Sequence, residues 1–253
     1  MKLKSLSGVL LAYHEEGVIE KSIRALQAVM EQVAEKSEVI VVGYEGCKDS
    51  TNEIVKKIAC HNPDVKLVIQ KTSEKGYGRA FYLGIRAASN EWVFQTDADG
   101  QYQIEDLKRL VALADENTDL IHGYRKKRND PFERVVMAFC YNMALKLLFW
   151  IPIRDVDSAF KLMRASKVQA LPVKSLSGFS VAELIIRLKR CGSRFRQIDI
   201  THLPRTEGEA LSEKGVKNPF NLQIPNLNLV SGTLGEMIKF RFAQNKNLER
   251  PCS

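Results

Sequence analysis

The sequence predicts an α/β domain, a mostly parallel β-sheet flanked by helices. Two observations carry this. Short β-branched runs alternate with longer amphipathic ones through the first half of the chain. Strand starts recur roughly every 27–30 residues, the period of repeated βαβ crossovers. In order, the expected strands are residues 8–13, 38–42, 65–70, 91–96 and 119–123, and the helices between them are residues 18–35, 50–60, 78–88 and 104–114. The second half is less regular. Residues 132–150 read as one long helix rich in Val, Met, Phe and Leu, behind the basic run Arg125, Lys126, Lys127, Arg128. Residues 159–164 read as a strand, 181–190 as a helix and 195–201 as another strand. Glycine, proline, asparagine and charged residues make 205–225 a long loop, before a final amphipathic helix at 229–242. In such a sheet, ligands belong in the crevice beyond the carboxyl ends of the strands.

The 253 residues are 45% hydrophobic and 27% charged, which suits a folded domain with a sizeable core and excludes collagen-like and disordered classes. No apolar run reaches the roughly 18 residues of a membrane span, and residues 1–13 lack the length and cleavage site of a signal peptide. Five scattered cysteines (Cys47, Cys60, Cys140, Cys191, Cys252) without metal-ligand spacing read as free thiols in a reducing cytosol. The net charge of +8 is uneven: residues 1–120 hold 15 basic and 19 acidic side chains, residues 121–253 hold 23 and 11. The basic half therefore expects an anionic partner, phosphates or a membrane surface. Nucleic acid is disfavoured, because no aromatic-rich recognition motif accompanies the charge.

The most informative stretch is Asp97-Ala98-Asp99-Gly100-Gln101-Tyr102, after the fourth strand. Two carboxylates two residues apart at a strand end, with an amide oxygen two further on, converge once the chain turns. Such hard oxygen donors suit Mg²⁺ or Mn²⁺ bridging to a diphosphate. The alternative is a turn whose Asp and Gly cap the next helix. Gly76 and Gly78 would let a backbone approach a ligand at a helix start, or simply make a strand-to-helix turn; neither a phosphate loop nor a dinucleotide fingerprint is present. At the first strand end, Glu15 and Glu16 also suit the positive end of a helix dipole. Arg125 follows the fifth strand, where its fork can reach a phosphate oxygen. Asp155 and Asp157 face nearby arginines in sequence. Ser180 and Glu183 have the spacing of a capping box; a hydroxyl acceptor would need a base, for which Glu183 and Asp157 are the candidates.

Six segments in order carry a family resemblance: AYHEE at 12–16, GYGRA at 76–80, TDADGQY at 96–102, GYR at 123–125, RDVDSAFKL at 154–162 and HLPR at 202–205. Together they resemble an inverting glycosyltransferase of family 2 with the GT-A (nucleotide-diphospho-sugar transferase) fold, in its dolichyl- or polyprenyl-phosphate mannosyltransferase branch. The resemblance implies a GT-A domain over residues 1–208, with a Rossmann-like nucleotide-sugar-binding half at 1–123 and an acceptor-side half at 124–208, followed by a C-terminal loop and helix at 209–253. It implies Asp97, Asp99 and Gln101 as metal ligands, and Ala12, Tyr13, Glu15, Gly78, Asp97, Ala98 and Asp99 as donor contacts. Arg125 is implied to bind phosphate, with Arg134, His202 and Arg205 on the acceptor side. Asp99, Arg125 and Glu183 are the expected catalytic group. Two departures stand out. His14 occupies the usual Asn position, and Gly43-Tyr44-Glu45-Gly46-Cys47-Lys48-Asp49 replaces the usual pair of aspartates, leaving Glu45 or Asp49 to substitute.

The expected activity is Mg²⁺- or Mn²⁺-dependent transfer of a sugar from a nucleotide-sugar to a polyprenyl phosphate, by a cytoplasmic protein resting on the cytoplasmic membrane face. Val135, Met137, Phe139 and Leu147 would then touch the interface or the core. Alternatives are a family 2 transferase acting on a saccharide hydroxyl and a non-catalytic nucleotide-sugar binder.

Overall fold

The computed structural model describes residues 2–74, 76–127, 132–204 and 227–243. Its strands are β1 (Leu3–Leu11), β2 (Ala34–Tyr44), β3 (Val65–Gln70), β4 (Trp92–Asp97), β5 (Leu120–Arg125), β6 (Lys161–Arg164) and β7 (Phe195–Ile200). The helices are α1 (Ile19–Val33), α2 (Thr51–His61), α3 (Tyr77–Ala87), α4 (Leu107–Val111), α5 (Phe132–Phe149), α6 (Ala165–Gln169), α7 (Phe179–Arg190) and α8 (Leu227–Ala243). The strands form one sheet in the order β3-β2-β1-β4-β6-β5-β7. Val39 to Val42 of β2 are all buried, because helices cover both faces of a parallel sheet. One face packs on α1, α2 and α4, the other on α3, α5, α6, α7 and α8. On α1 the buried residues Ile19, Ile23, Leu26 and Met30 repeat at helical spacing and give the helix its inward stripe.

Several boundaries differ from expectation. β1 starts at Leu3 because its polar-looking beginning pairs with the beginning of β2, Leu3 opposite Ala34. The helix expected at 104–114 is a 3₁₀ turn, Ile104–Asp106, followed by the short α4. Cys47, Cys60 and Cys140 are free thiols, whereas Cys191 is in a disulfide, since spacing along a chain does not report proximity in space. Among the described residues no helix is long and apolar enough to cross a membrane.

β6 decides where the site forms. It runs antiparallel to both β4 and β5, while every other pairing is parallel. A reversed strand begins where its neighbours end. Lys161 and the segment leading into it therefore arrive at the same rim as Asp97 and Arg125.

Two buried titratable groups set the acid response. Glu38 accepts hydrogen bonds from Ser7 Oγ (2.6 Å), Lys66 Nζ (2.6 Å), Ser89 N (2.8 Å) and Ser89 Oγ (2.7 Å). Burial alone would raise its pKa, but these donors override it and hold the carboxyl down at about 2. His122 is fully buried, and burial first, then the Lys161 charge, pushes its imidazole down to about 3. In both cases the unfolded chain binds a proton that the folded chain refuses, so stability is lost on acidification. The window runs from 6.5 to about 3 for His122 and from 4.5 to about 2 for Glu38. Urea midpoints should fall steadily through these windows, and Glu38→Gln should flatten the lower one. A midpoint that stays constant with pH would contradict this.

Candidate active site at the carboxyl rim of the sheet

Parallel β1, β2, β4 and β5 end together, and their pairing continues one residue past β1 and β4. The Ala12 N–H donates to the Val42 carbonyl (3.0 Å), and the Ala98 N–H to the Leu11 carbonyl (3.2 Å). Ala98 is fully buried, and its carbonyl accepts the Ser22 hydroxyl at 2.8 Å, which pins the acidic motif to α1. Gly100 then turns the chain with φ +72°, and an added Cβ would meet nothing within 4 Å, so the glycine serves the backbone conformation. Asp99 is buried, and its Oδ1 accepts the Gln101 N–H at 3.0 Å.

The turn is locked from two distant segments. Tyr102 forms an isolated antiparallel bridge with His202, their rings 5.5 Å apart, and the Leu203 N–H donates to the Gln101 carbonyl at 2.7 Å. These contacts bring His202 beside the Asp97–Gln101 turn. The Tyr102 hydroxyl accepts the Ala159 N–H at 3.1 Å, and burial pushes its pKa up to about 12. The acidic turn, the 155–160 segment and His202 are thus one unit.

Charge at the rim is dense and largely committed. The Arg125 side chain is 7% exposed and grips Asp155 with both prongs, Nε to Oδ2 at 2.7 Å and Nη2 to Oδ1 at 2.9 Å. In this arrangement the fork expected to meet phosphate meets a carboxylate. The Asp155 carbonyl accepts His122 Nε2–H at 2.6 Å, which makes Nε2 the protonated nitrogen of the neutral ring. Lys161 is fully buried and donates through Nζ to the Ser158 carbonyl. Burial chiefly, and Arg125 as well, bring its ammonium down to about 7, against the pull of Asp97, Asp155 and Asp157. Asp97 raises the pKa of Tyr102, after burial and against the larger lowering effect of Arg125, so the corner holds charges of both signs. Two hard carboxylates at a rigid strand end fit a Mg²⁺- or Mn²⁺-type ion; Asp97, Asp99 and the Gln101 amide would hold it. Lys161 and His122 were not anticipated from sequence. A lysine inside the apolar run Ala159-Phe160-Lys161-Leu162-Met163 is the signal that finds the first.

The remaining expected residues divide. Tyr13 lies between His14 and Tyr44, ring centroids 4.3 and 5.7 Å away, at the β1 and β2 ends. Glu15 is buried, its N–H donating to Thr51 Oγ1 at 2.9 Å. Glu45 is exposed and accepts the Thr72 N–H (2.9 Å) and hydroxyl (3.0 Å), bonds that lower its pKa and tie the β2 and β3 ends together. Arg134 sits half-buried in the first turn of α5, and Arg205 lies outside the described residues. Glu183 does not have the geometry of a base. It is 1% exposed and accepts the N–H groups of Lys174 and Ser175 (3.2 and 2.8 Å) and Arg187 Nε (2.8 Å), clamping a loop. Nor does the capping box form: α7 starts at Phe179, so Ser180 lies inside it.

Gly76 and Gly78 serve that same loop. A Cβ on Gly78 would stand 2.4 Å from the Ser175 carbonyl oxygen, and one on Gly76 2.3 Å from that of Leu176. The small residues admit protein backbone. Gly78→Ala should therefore destabilise the fold by about 1–3 kcal/mol, read by chemical denaturation. Unchanged stability with weakened nucleotide binding would instead return this glycine to the donor site.

The Glycosyl transferase family 2 model matches residues 7–171. An uncharacterized glycosyltransferase from Mycobacterium bovis is 28% identical over 177 residues, 68% of this chain and 79% of that protein. Polyprenol monophosphomannose synthase from Mycolicibacterium smegmatis is 27% identical over 146 residues, 54% of this chain and 55% of that protein. An undecaprenyl-phosphate 4-deoxy-4-formamido-L-arabinose transferase from Pseudomonas syringae is 25% identical over 67% of this chain and 50% of its own length. The chain thus spans about half the length of these two lipid-phosphate relatives. Among solved structures, glucosyl-3-phosphoglycerate synthase from Mycobacterium tuberculosis, in complex with Mn²⁺, UDP-glucose and phosphoglyceric acid, superposes with TM-score 0.63 at 19% identity. That alignment covers 92% of this chain and 79% of that one, and establishes the GT-A fold.

Proposed function

The chain belongs to glycosyl transferase family 2, and from that premise we propose that it moves a sugar, with inversion, from a nucleotide-sugar to a polyprenyl-type lipid phosphate at a membrane surface. The observation that carries the acceptor is the outer face of α5. Phe132, Val136, Phe139, Met143 and Leu147 are exposed at helical spacing, continued by Trp150, with exposures from 42 to 79%. Val135 and Met137 are half-buried, so the interface falls to Phe139 and Leu147 of the four residues expected there. Leu234, Ile238 and Phe242 of α8 are exposed too, and α8 packs beside the end of α5 through Phe240 and Phe149, 6.0 Å apart. Exposed cations accompany these helices: Lys146 on α5, Lys239 and Arg241 on α8, and Lys189, whose Nζ donates to the Phe149 and Trp150 carbonyls. An apolar stripe edged with positive charge is the composition of a helix lying in an anionic lipid interface.

The chemistry follows from the rim. A divalent ion on Asp97, Asp99 and Gln101 would offset the negative charge that grows on the departing diphosphate. Beneath it lie two buried basic side chains, Lys161 held to the Ser158 carbonyl and Arg125 paired with Asp155. Tyr13 and Ala12 border the nucleotide end, and His202 closes over the turn from the acceptor side. A lipid phosphate is already anionic at neutral pH and attacks without losing a proton, which accords with a Glu183 fully occupied in holding a loop. The relatives named for polyprenol and undecaprenyl phosphate support this acceptor class.

Sugar-nucleotide turnover with Mn²⁺ tests the reading, offering polyprenyl phosphate in vesicles, 3-phosphoglycerate and simple sugars side by side. Label should enter the organic-extractable lipid. Transfer only to the soluble acceptors would replace the lipid with a hydroxyl substrate, and donor binding without turnover would make the chain a binder.

A further inference from the structure

Beside the nucleotide end of the rim stands a second group of donors, of a different chemical kind. His14, Cys47 and Asp49 each present one ligand atom, and all three atoms lie within 4.8 Å of one another. Cys47 Sγ donates to Asp49 Oδ1 at 2.9 Å, and His14 Nδ1 is 3.9 Å from the same oxygen. The backbone N–H of His14 also points to the Cys47 sulfur. We propose that His14, Cys47 and Asp49 form a site for a Zn²⁺-type transition-metal ion, distinct from the hard-cation corner at Asp97 and Asp99.

The donor set selects the metal. One imidazole, one thiolate and one carboxylate suit a borderline-soft ion that prefers four ligands, and are poor ligands for Mg²⁺ or Ca²⁺. On binding, Cys47 gives up its thiol proton to solvent, and His14 coordinates as the neutral imidazole. Three protein ligands leave a fourth tetrahedral position for water or an incoming donor.

The arrangement is also held in place, as metal sites require. Asp49 Oδ2 accepts the Thr51 hydroxyl (2.7 Å) and the Glu16 N–H (3.2 Å), while Glu16 Oε2 accepts the Ser50 N–H (2.9 Å). These bonds cross-link the loop after β1 to the loop after β2. His14 adopts φ 58°, a left-handed conformation uncommon outside glycine, and this turns its imidazole toward the second loop. The Tyr13 ring meets the imidazole edge-on at 4.3 Å.

Cobalt reports such a site directly. Metal-stripped full-length protein titrated with Co²⁺ should show a thiolate-to-cobalt charge-transfer band saturating at one equivalent and lost on adding Zn²⁺. Cys47→Ser should abolish the band, and His14→Asn and Asp49→Asn should each weaken Co²⁺ binding by at least about tenfold. The double variant Asp97→Asn/Asp99→Asn should leave the band intact. A measurement on the unmodified protein avoids any folding defect: Zn²⁺ should protect Cys47 from iodoacetamide while Cys60 and Cys140 continue to react. No band, a band that survives Cys47→Ser, a band lost with Asp97 and Asp99, or equal protection of all three thiols would each overturn the proposal.

Discussion

Asp99→Asn lowers sugar transfer by about 10²–10³-fold in kcat, the loss seen when one charge-stabilising group is taken from a leaving-group site. The substitution isolates charge from shape. The Asp99 side chain accepts the Gln101 N–H at 3.0 Å, and an asparagine oxygen accepts it equally well, so the turn at Gly100 persists. What disappears is one of two carboxylates able to hold a divalent ion on the rim. Binding of nucleotide diphosphate should also lose its dependence on Mn²⁺, while the unfolding midpoint stays close to that of the parent. Full Mn²⁺-dependent activity in this variant would remove Asp99 from the chemistry.

The second large effect concerns the membrane. The double variant Phe139→Asp/Leu147→Asp should lower partitioning onto vesicles by about 10²-fold or more. Each large apolar side chain that leaves water contributes about 1.5–3 kcal/mol, and two of them exceed the span of two decades in a partition constant. Phe139 is 65% exposed and Leu147 74%, so neither supports the core, and stability should hold. Flotation with vesicles containing anionic lipid measures the effect directly. Transfer to vesicle-borne polyprenyl phosphate should fall in parallel, while donor binding at the rim is unchanged. Undiminished flotation would assign the stripe of α5 to another partner.

These residues show what a sequence can and cannot disclose. β3 at Val65–Gln70 coincides with its expected range, because a short apolar run between polar punctuation has one reading. The acidic turn was equally legible, since it directly follows an apolar strand. The direction of β6 was not. Four residues, Lys161–Arg164, fit either orientation, and only pairing with β4 and β5 at once selects the reversed one. Gly76 and Gly78 read alike whether the neighbour is a phosphate or the 175–177 backbone. The α5 sequence is apolar nearly all round, so which side meets water depends on what the rest of the chain leaves uncovered. Arg125 shows the same limit: its charge was legible, but its bidentate hold on Asp155 depends on a segment 30 residues away.

The most direct test is a crystal of the protein with Mn²⁺ and a nucleoside diphosphate, with anomalous scattering recorded to locate the manganese. The account predicts a manganese peak bonded to Asp97 and Asp99, sharing an oxygen of the diphosphate. Nucleotide bound with no manganese on those carboxylates would contradict it.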